Sequence, residues 1–233
     1  MYPQGLEVVT VALDTGGVEA ARPFIEAARS QHPALIDEAH IMDELFGVIN
    51  TPSGVWIDED GVIVRPPETA FATVFRENSF KRVEEVARPH LAEMPSLAEV
   101  LVEAERLPIG TGEKVDPDRY FAALRDWVVR GADSPFVLSP FDVVRRARPR
   151  PFEVSQAAAN FELGQHFYRI GLKSAALAYF HEAYRLQPDN WTYKCQAWAC
   201  EYPDGPSEEY SRNWLREVRK MGIENYYEAV DLY

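Results

Sequence analysis

The hydrophobic pattern of the first 67 residues consists of short apolar runs around one amphipathic stretch. Residues 6–13 (LEVVTVAL) are β-branched and too few for a buried helix, which predicts an interior strand. Over residues 18–31 apolar side chains recur at helical spacing, which predicts an amphipathic helix that ends at His32-Pro33. The pattern also predicts a strand over 34–36, a helix over 40–46 that ends at Gly47, and a hairpin of strands 54–57 and 62–64 closed by Pro66-Pro67. Residues 1–67 are therefore expected to form an α/β layer.

From residue 68 onward the pattern is helical. Helices are predicted over 69–88 and 91–107, and a third is expected to start at Asp116-Pro117 and to run to Arg130. Residues 134–151 are rich in proline and contain Arg145, Arg146, Arg148 and Arg150, which predicts a connector and a domain boundary. We divide the chain into an α/β part (1–67), a helical extension (68–133), this connector (134–151) and an all-α domain (152–233).

Residues 157–190 contain the most specific pattern of the chain. Small residues alternate with aromatic ones at fixed offsets, a glycine follows at the turn, and a proline ends the window. The seven positions that carry the pattern are Leu163, Gly164, Phe167, Ala176, Phe180, Ala183 and Pro188. They resemble the tetratricopeptide (TPR) repeat, a hairpin of two antiparallel helices. One repeat cannot bury its own faces, so helices on both sides are expected to cover it.

Charge narrows the classes of partner. The chain of 233 residues carries 24 basic and 37 acidic side chains, a formal net charge of −13, and residues 1–70 hold 12 of the acidic and 3 of the basic ones. This argues against nucleic acid and anionic membrane surfaces as partners. No apolar run reaches the ~18–20 residues of a membrane span, and the first residues lack the features of a signal peptide. We therefore expect a soluble, cytoplasmic protein.

Four segments of residues 1–67 follow one another in an informative order. They are the strand LEVVTVALD, the helix FIEAARSQ, the segment FGVINTP and the hairpin GVWIDEDGVIV. Together they resemble the thioredoxin-like fold of the TlpA/ResA-type redoxins, over less than a third of the chain. The resemblance implies a thiol-disulfide or thiol-peroxide oxidoreductase. It also places Thr51 and Pro52 beside the redox centre, with a cis peptide bond between them.

The same resemblance implies a segment that is absent here. In that family a strand and a Cys-x-x-Cys motif at a helix N-terminus precede the strand that matches residues 6–13, whereas no cysteine precedes Cys195 in this chain. A missing central strand would leave ladder groups unpaired, at about 1–3 kcal/mol for each. Two explanations stay open. In the first, which we favour, the chain is N-terminally shortened, through a misplaced start or a selenocysteine codon taken as a stop. In the second, the retained strands pair directly and the domain is a relic without redox activity.

The two cysteines offer no substitute for the absent motif. Cys195 and Cys200 lie five residues apart in a predicted helix, so their Cα atoms are ~8 Å apart, beyond the ~7 Å that a disulfide can bridge. Two inert thiols are therefore expected. The histidines form no ligand motif, and neither a metal nor a cofactor is predicted. The arginines of the connector are interpreted as a solvated cluster, with an acidic segment of a partner docking there as the alternative.

Two function hypotheses follow from these patterns. The first is a protein related to thiol-disulfide oxidoreductases whose redox-active motif is absent from this chain. The second is a non-catalytic adaptor that binds a protein partner through its TPR-like region, with the thioredoxin-like part as scaffold.

Overall fold

The N-terminal part of the chain contains two separate two-stranded sheets. The computed structural model describes residues 5–70, 117–147, 150–202, 208–228 and 230–232. In the first sheet β1 (Thr10–Leu13) and β2 (Ala34–Asp37) are parallel, with Thr10 opposite Ala34 and Leu13 opposite Asp37. Helix α1 (Gly17–Ala28) connects them and packs against β2. The second sheet pairs β3 (Ser53–Ile57) with β4 (Ile63–Thr69) in antiparallel fashion, after the short helix α2 (Ile41–Phe46).

Strand β4 is longer than the sequence pattern predicts. We expected Pro66-Pro67 to close the hairpin and a helix to start at residue 69, but both prolines and Thr69 belong to β4. Trp56 lies opposite Arg65 and Gly54 lies opposite Glu68, so the two prolines face the single residue between Gly54 and Trp56. This is a β-bulge, one of the few places where a strand accepts residues that lack an N–H group.

The C-terminal part is entirely helical in the residues that the structure describes. The predicted helix at Pro117 is confirmed as α3 (Pro117–Arg130), and the proline-rich connector contains the two-turn helix α4 (Pro140–Ala147). Four longer helices follow: α5 (Phe152–Arg169), α6 (Lys173–Leu186), α7 (Trp191–Glu201) and α8 (Glu208–Met221). The helix predicted over 69–88 lies outside the described residues from position 71 onward, and so do the helix predicted over 91–107 and the cap at Asp116.

Helices α5 and α6 form a tightly packed hairpin. A Cβ atom built on Gly164 of α5 would lie 2.5 Å from Cδ1 of Phe180 on α6, so only glycine fits at this crossing. Ala176, Phe180 and Ala183 are buried in the same cluster, and Phe167 packs against it. Gly164 and Ala176 are both buried where the two helices cross. Two of the seven positions lie outside this cluster, because Leu163 is 43% exposed and Pro188 follows the end of α6 on the surface.

The connector is part of the packed structure instead of a free linker. Leu138 donates its backbone N–H to the carbonyl of Val64, and α4 packs against β4. Below it lies a second core cluster, in which Trp56 of β3 stacks on Trp127 of α3 and donates a hydrogen bond to the hydroxyl of Tyr120. The chain thus has a small α/β part followed by an all-helical region. No helix among the described residues is long and apolar enough to cross a membrane.

Candidate functional site

The α/β part is attached to the helical region by backbone contacts from α7. The N–H of Trp191 donates to the carbonyl of Ile49 at 2.6 Å, and the hydroxyl of Thr192 donates to the carbonyl of Val48 at 3.5 Å. These residues start α7, where Asn190 caps the helix by accepting from the N–H of Tyr193. The segment after α2 is thereby joined to the N-terminal end of a helix more than a hundred residues away in sequence.

Gln196 of α7 binds the end of β1 in the manner of a neighbouring strand. Its Oε1 accepts from the N–H of Thr15 at 2.9 Å, and its Nε2 donates to the carbonyl of Leu13 at 3.4 Å. In the parallel register the N–H of Thr10 points toward β2, where it bonds the carbonyl of Pro33, so Val11, Leu13 and Thr15 present their backbone groups on the opposite side. The side-chain amide therefore occupies the place of a peptide group on the open edge of β1.

A buried histidine lies at the same junction. His40 is 2% exposed; its Nδ1 lies 3.0 Å from Oδ2 of Asp43, and its Nε2 lies 3.3 Å from the hydroxyl of Thr15. The ring packs edge-on against Phe161 of α5, with 5.0 Å between centroids. Burial raises the pKa of Asp43, and the hydrogen bond and charge of His40 oppose that shift.

The order hydroxyl, imidazole, carboxylate is that of a nucleophilic triad, but the environment differs from an active site. The imidazole is enclosed by Phe161, and the backbone N–H of Thr15 is already bound to Gln196. We conclude that the cluster of Thr15, His40 and Asp43 joins the two parts of the chain.

A cavity of about 620 Å³ lies between the α/β part and the helices. Its walls come from the end of α2, the hairpin β3–β4, the start of α5 and the start of α7. Carboxylates predominate among its charged groups: Asp43, Glu44, Glu68, Asp189 and Glu228 line it together with Arg146 and Arg150. The volume is within the range of small-molecule sites.

The two arginines of this cavity are held by acidic groups of the same chain. Arg150 forms an ion pair with Glu44 at 3.0 Å and also donates to its backbone carbonyl. Arg146 forms an ion pair with Asp231 at 3.0 Å, and Arg145 pairs with Asp142 within α4. These three of the four connector arginines thus have acidic partners inside the chain, while Arg148 lies outside the described residues. Docking of an acidic partner segment on the connector arginines stays a prediction.

Tyr193 lies on the helical wall of the cavity. It is buried and stacks on Phe161, with 4.3 Å between ring centroids. Burial raises the pKa of its hydroxyl far above the ordinary value, and the nearby carboxylates of Asp43 and Glu44 raise it further, against a smaller opposing effect of Arg150. The wall therefore presents a neutral phenol at physiological pH, able to donate or accept one hydrogen bond.

The residues expected beside a redox centre lie at the rim of this cavity. The Thr51–Pro52 peptide bond is cis, as the resemblance implies. The flanking residues Asn50 and Ser53 line the cavity, and the N–H of Thr51 donates to Oδ1 of Asn50 at 2.8 Å. Both cysteines are on α7, and neither of them lines this cavity.

Both cysteines are free, as the helical spacing predicts. Cys200 is buried in the core of the α5–α6 hairpin, and burial raises the pKa of its thiol. Cys195 is half-buried and packs against the cluster of Trp191, Trp198 and Val218. A raised pKa disfavours the thiolate, which is the reactive form of cysteine.

The sequence pattern did not identify Gln196, His40, Asp43 or Arg65 as important contacts. Each is a polar residue whose burial depends on partners far away in sequence, so no local spacing marks it. His40 alone carried a local signal, since it is the first residue of the helix predicted over 40–46 and its ring contacts Asp43 three residues on.

No group of histidine, cysteine, aspartate and glutamate side chains in the described ranges could hold a metal ion. Comparison with known proteins adds no identification: no family model, no curated protein and no solved structure matches the chain.

Proposed function

We propose that this protein is a thioredoxin-like unit related to thiol-disulfide oxidoreductases, mounted on a TPR-like helical unit, and that the chain acts by binding a protein partner without thiol chemistry of its own. The location of the two thiols carries the proposal. Both lie on α7, one inside the core of the helical hairpin and the other against a tryptophan cluster. Neither lines the cavity at whose rim Thr51-Pro52 lies, where the redoxin resemblance would place the reacting sulfur.

The relation to redoxins is supported by the order of the elements. A strand, a helix, a parallel strand, a short helix and a β-hairpin follow one another over residues 10–69. Strands β1 and β3 belong to two separate sheets, with no strand between them in the part of the chain that the structure describes. The relation to TPR proteins is supported by the crossing at Gly164 and by buried Ala176, Phe180 and Ala183.

The binding role is supported by the way the helices hold the α/β part. Phe161 of α5 contacts His40, while Trp191, Thr192 and Gln196 of α7 bind backbone groups of residues 13–15 and 48–49. These two helices begin successive helical pairs. A surface of this kind presents the α/β part in a fixed orientation, as a scaffold would.

Insulin reduction with dithiothreitol as electron donor tests the absence of thiol chemistry. We expect no turnover above the rate of dithiothreitol alone. The variant Cys195→Ser/Cys200→Ser is the matched control, and it should give the same rate as the unchanged chain. Turnover that disappears in this variant would show that the α7 thiols react and would overturn the proposal.

A further inference from the structure

The edge of β1 that faces away from β2 offers backbone groups that a partner could bind. β1 is paired with β2 on one side only, and no second neighbouring strand is present among the described residues. The parallel register directs the N–H and C=O of Val11 and the N–H of Leu13 away from β2. Exposed backbone groups in such a row are a template for another strand.

This edge already binds a peptide-like group. The side-chain amide of Gln196 donates to the carbonyl of Leu13 and accepts from the N–H of Thr15, as a strand's peptide group would. Directly before β1 the chain carries Val9 and Val8, whose side chains are 48% and 39% exposed. An incoming strand would find apolar side chains to cover beside the free hydrogen-bonding groups.

The charge of the α/β part specifies the chemistry of the incoming segment. Residues 5–70 carry 12 acidic and 3 basic side chains. Arg65 is buried and paired with Glu68. Arg22 lies on α1 and Arg29 is the C-terminal cap of α1, so both belong to the helix that packs against β2. The residues that flank β1 include Glu7 and Asp14. A basic segment is therefore favoured over an acidic one at this edge.

We infer that the partner binds through an extended segment of alternating basic and β-branched residues, which adds a strand to the open edge of β1. This inference rests on the proposed binding function and names its partner class. Main-chain hydrogen bonds to Val11 and Leu13 provide the pairing, the valines provide apolar cover, and the surrounding carboxylates select basic side chains.

A short synthetic peptide of alternating lysine and valine, blocked at both ends, serves as the probe with the full chain. Two control peptides separate the contributions. Alternating lysine and proline keeps the charge but cannot form a strand, and alternating glutamate and valine keeps the strand propensity with the opposite charge. We expect binding of the lysine–valine peptide alone, weakened by added salt. Equal binding of the lysine–proline peptide would overturn strand addition, and equal binding of the glutamate–valine peptide would overturn the basic preference.

Val11→Pro and Val11→Thr are the matched variants. The N–H of Val11 makes no bond to β2, so proline breaks no hydrogen bond of the sheet and removes the donor that an incoming strand would use, whereas threonine keeps that donor. We expect Val11→Pro to weaken peptide binding about tenfold and Val11→Thr to leave it within about twofold. Equal affinity of the two variants would refute pairing at this edge.

Hydrogen exchange on the unchanged chain supplies a test that needs no variant. Bound peptide should slow exchange of the Val11 and Leu13 amides, and protection confined to other residues would refute the inference. The two proposals fail separately. Thiol turnover in the insulin assay would overturn the absence of redox chemistry and leave the edge result readable, while failure at the edge would leave the thiol result intact.

Discussion

Replacing Arg65 by methionine is expected to be among the most destabilising single changes in the described part of the chain. Arg65 is 1% exposed. Its Nε and Nη2 donate to the two carboxylate oxygens of Glu68 at 2.7 and 2.8 Å. Nη1 donates to the carbonyl of Phe136 at 2.9 Å, and Nη2 donates to the carbonyl of Asp231 at 2.7 Å. The guanidinium group also lies over the ring of Trp56, 5.4 Å from the centroid.

The magnitude follows from what the substitution leaves behind. Methionine fills much of the volume but supplies no donors, so the carboxylate of Glu68, whose side chain is 13% exposed, loses its counter-charge. Removing one partner of a buried ion pair costs about 3–5 kcal/mol. The carbonyl of Phe136 loses the Arg65 donor as well, while that of Asp231 loses Arg65 and keeps Arg146. We therefore expect the free energy of unfolding of Arg65→Met to fall by about 3–5 kcal/mol.

Two companion variants show whether the unpaired charge is the cause. Arg65→Lys keeps a positive charge but cannot bind both carboxylate oxygens in the fork geometry, so its loss should be intermediate. Arg65→Met/Glu68→Leu removes both charges, and replacement of a buried ion pair by apolar residues is often close to neutral. The double variant should therefore be more stable than Arg65→Met alone.

Urea unfolding followed by tryptophan fluorescence measures these differences, and Trp56 reports directly because it lies under the guanidinium group. A loss below about 1 kcal/mol for Arg65→Met would place it among ordinary surface substitutions and refute the reasoning. So would a double variant that is no more stable than the single one.

Two further outcomes follow from buried side chains. Ala176→Leu should overpack the crossing of α5 and α6 and lower the free energy of unfolding by about 1–3 kcal/mol, measured by heat or urea. Ala178→Leu, on the exposed face of α6, is the control and should be close to neutral. Equal effects of the two variants would contradict the packing. Burial raises the pKa of Tyr227 to about 12 and raises those of Tyr193 and Tyr226 as well. An unfolded tyrosine ionises near its ordinary pKa of 10.0 while the folded form keeps its proton, so the free energy of unfolding should fall as pH rises from about 10 to 12. Unfolding at several alkaline pH values should show a shallower fall for Tyr227→Phe, and an unchanged slope would contradict its burial.

The local elements of the chain were accessible from sequence because their signals are local. The helix at Pro117 begins at a proline and is followed by Gly131, and the glycine at position 164 is spaced from Phe180 as two crossing helices require. The extension of β4 through Pro66-Pro67 was missed because proline normally ends a strand. Only the pairing partner, with a bulge between Gly54 and Trp56, makes those prolines acceptable.

The junction was beyond sequence reasoning for a different reason. Gln196 is one of many polar residues on helices, and its function depends on the backbone of residues 13–15, 181 to 183 positions away. His40 and Asp43 are three residues apart, but the burial that distinguishes them comes from Phe161. Sequence patterns report the face of an element, and they do not report which distant element covers that face.

The segment Tyr226–Leu232 has a consequence for how the chain is made. Side chains of the α/β part and its connector hold the backbone carbonyls of this segment: Asn50 that of Tyr226, Thr69 that of Glu228, and Arg65 and Arg146 that of Asp231. Leu232 also completes the core around Trp56. The contacts from Asn50, Arg65 and Thr69 span 159 to 176 positions. The α/β part is thus completed by residues that are translated well over a hundred positions after it. Its hairpin must therefore stay soluble, with Arg65 and Trp56 still exposed, while the helical region is synthesised.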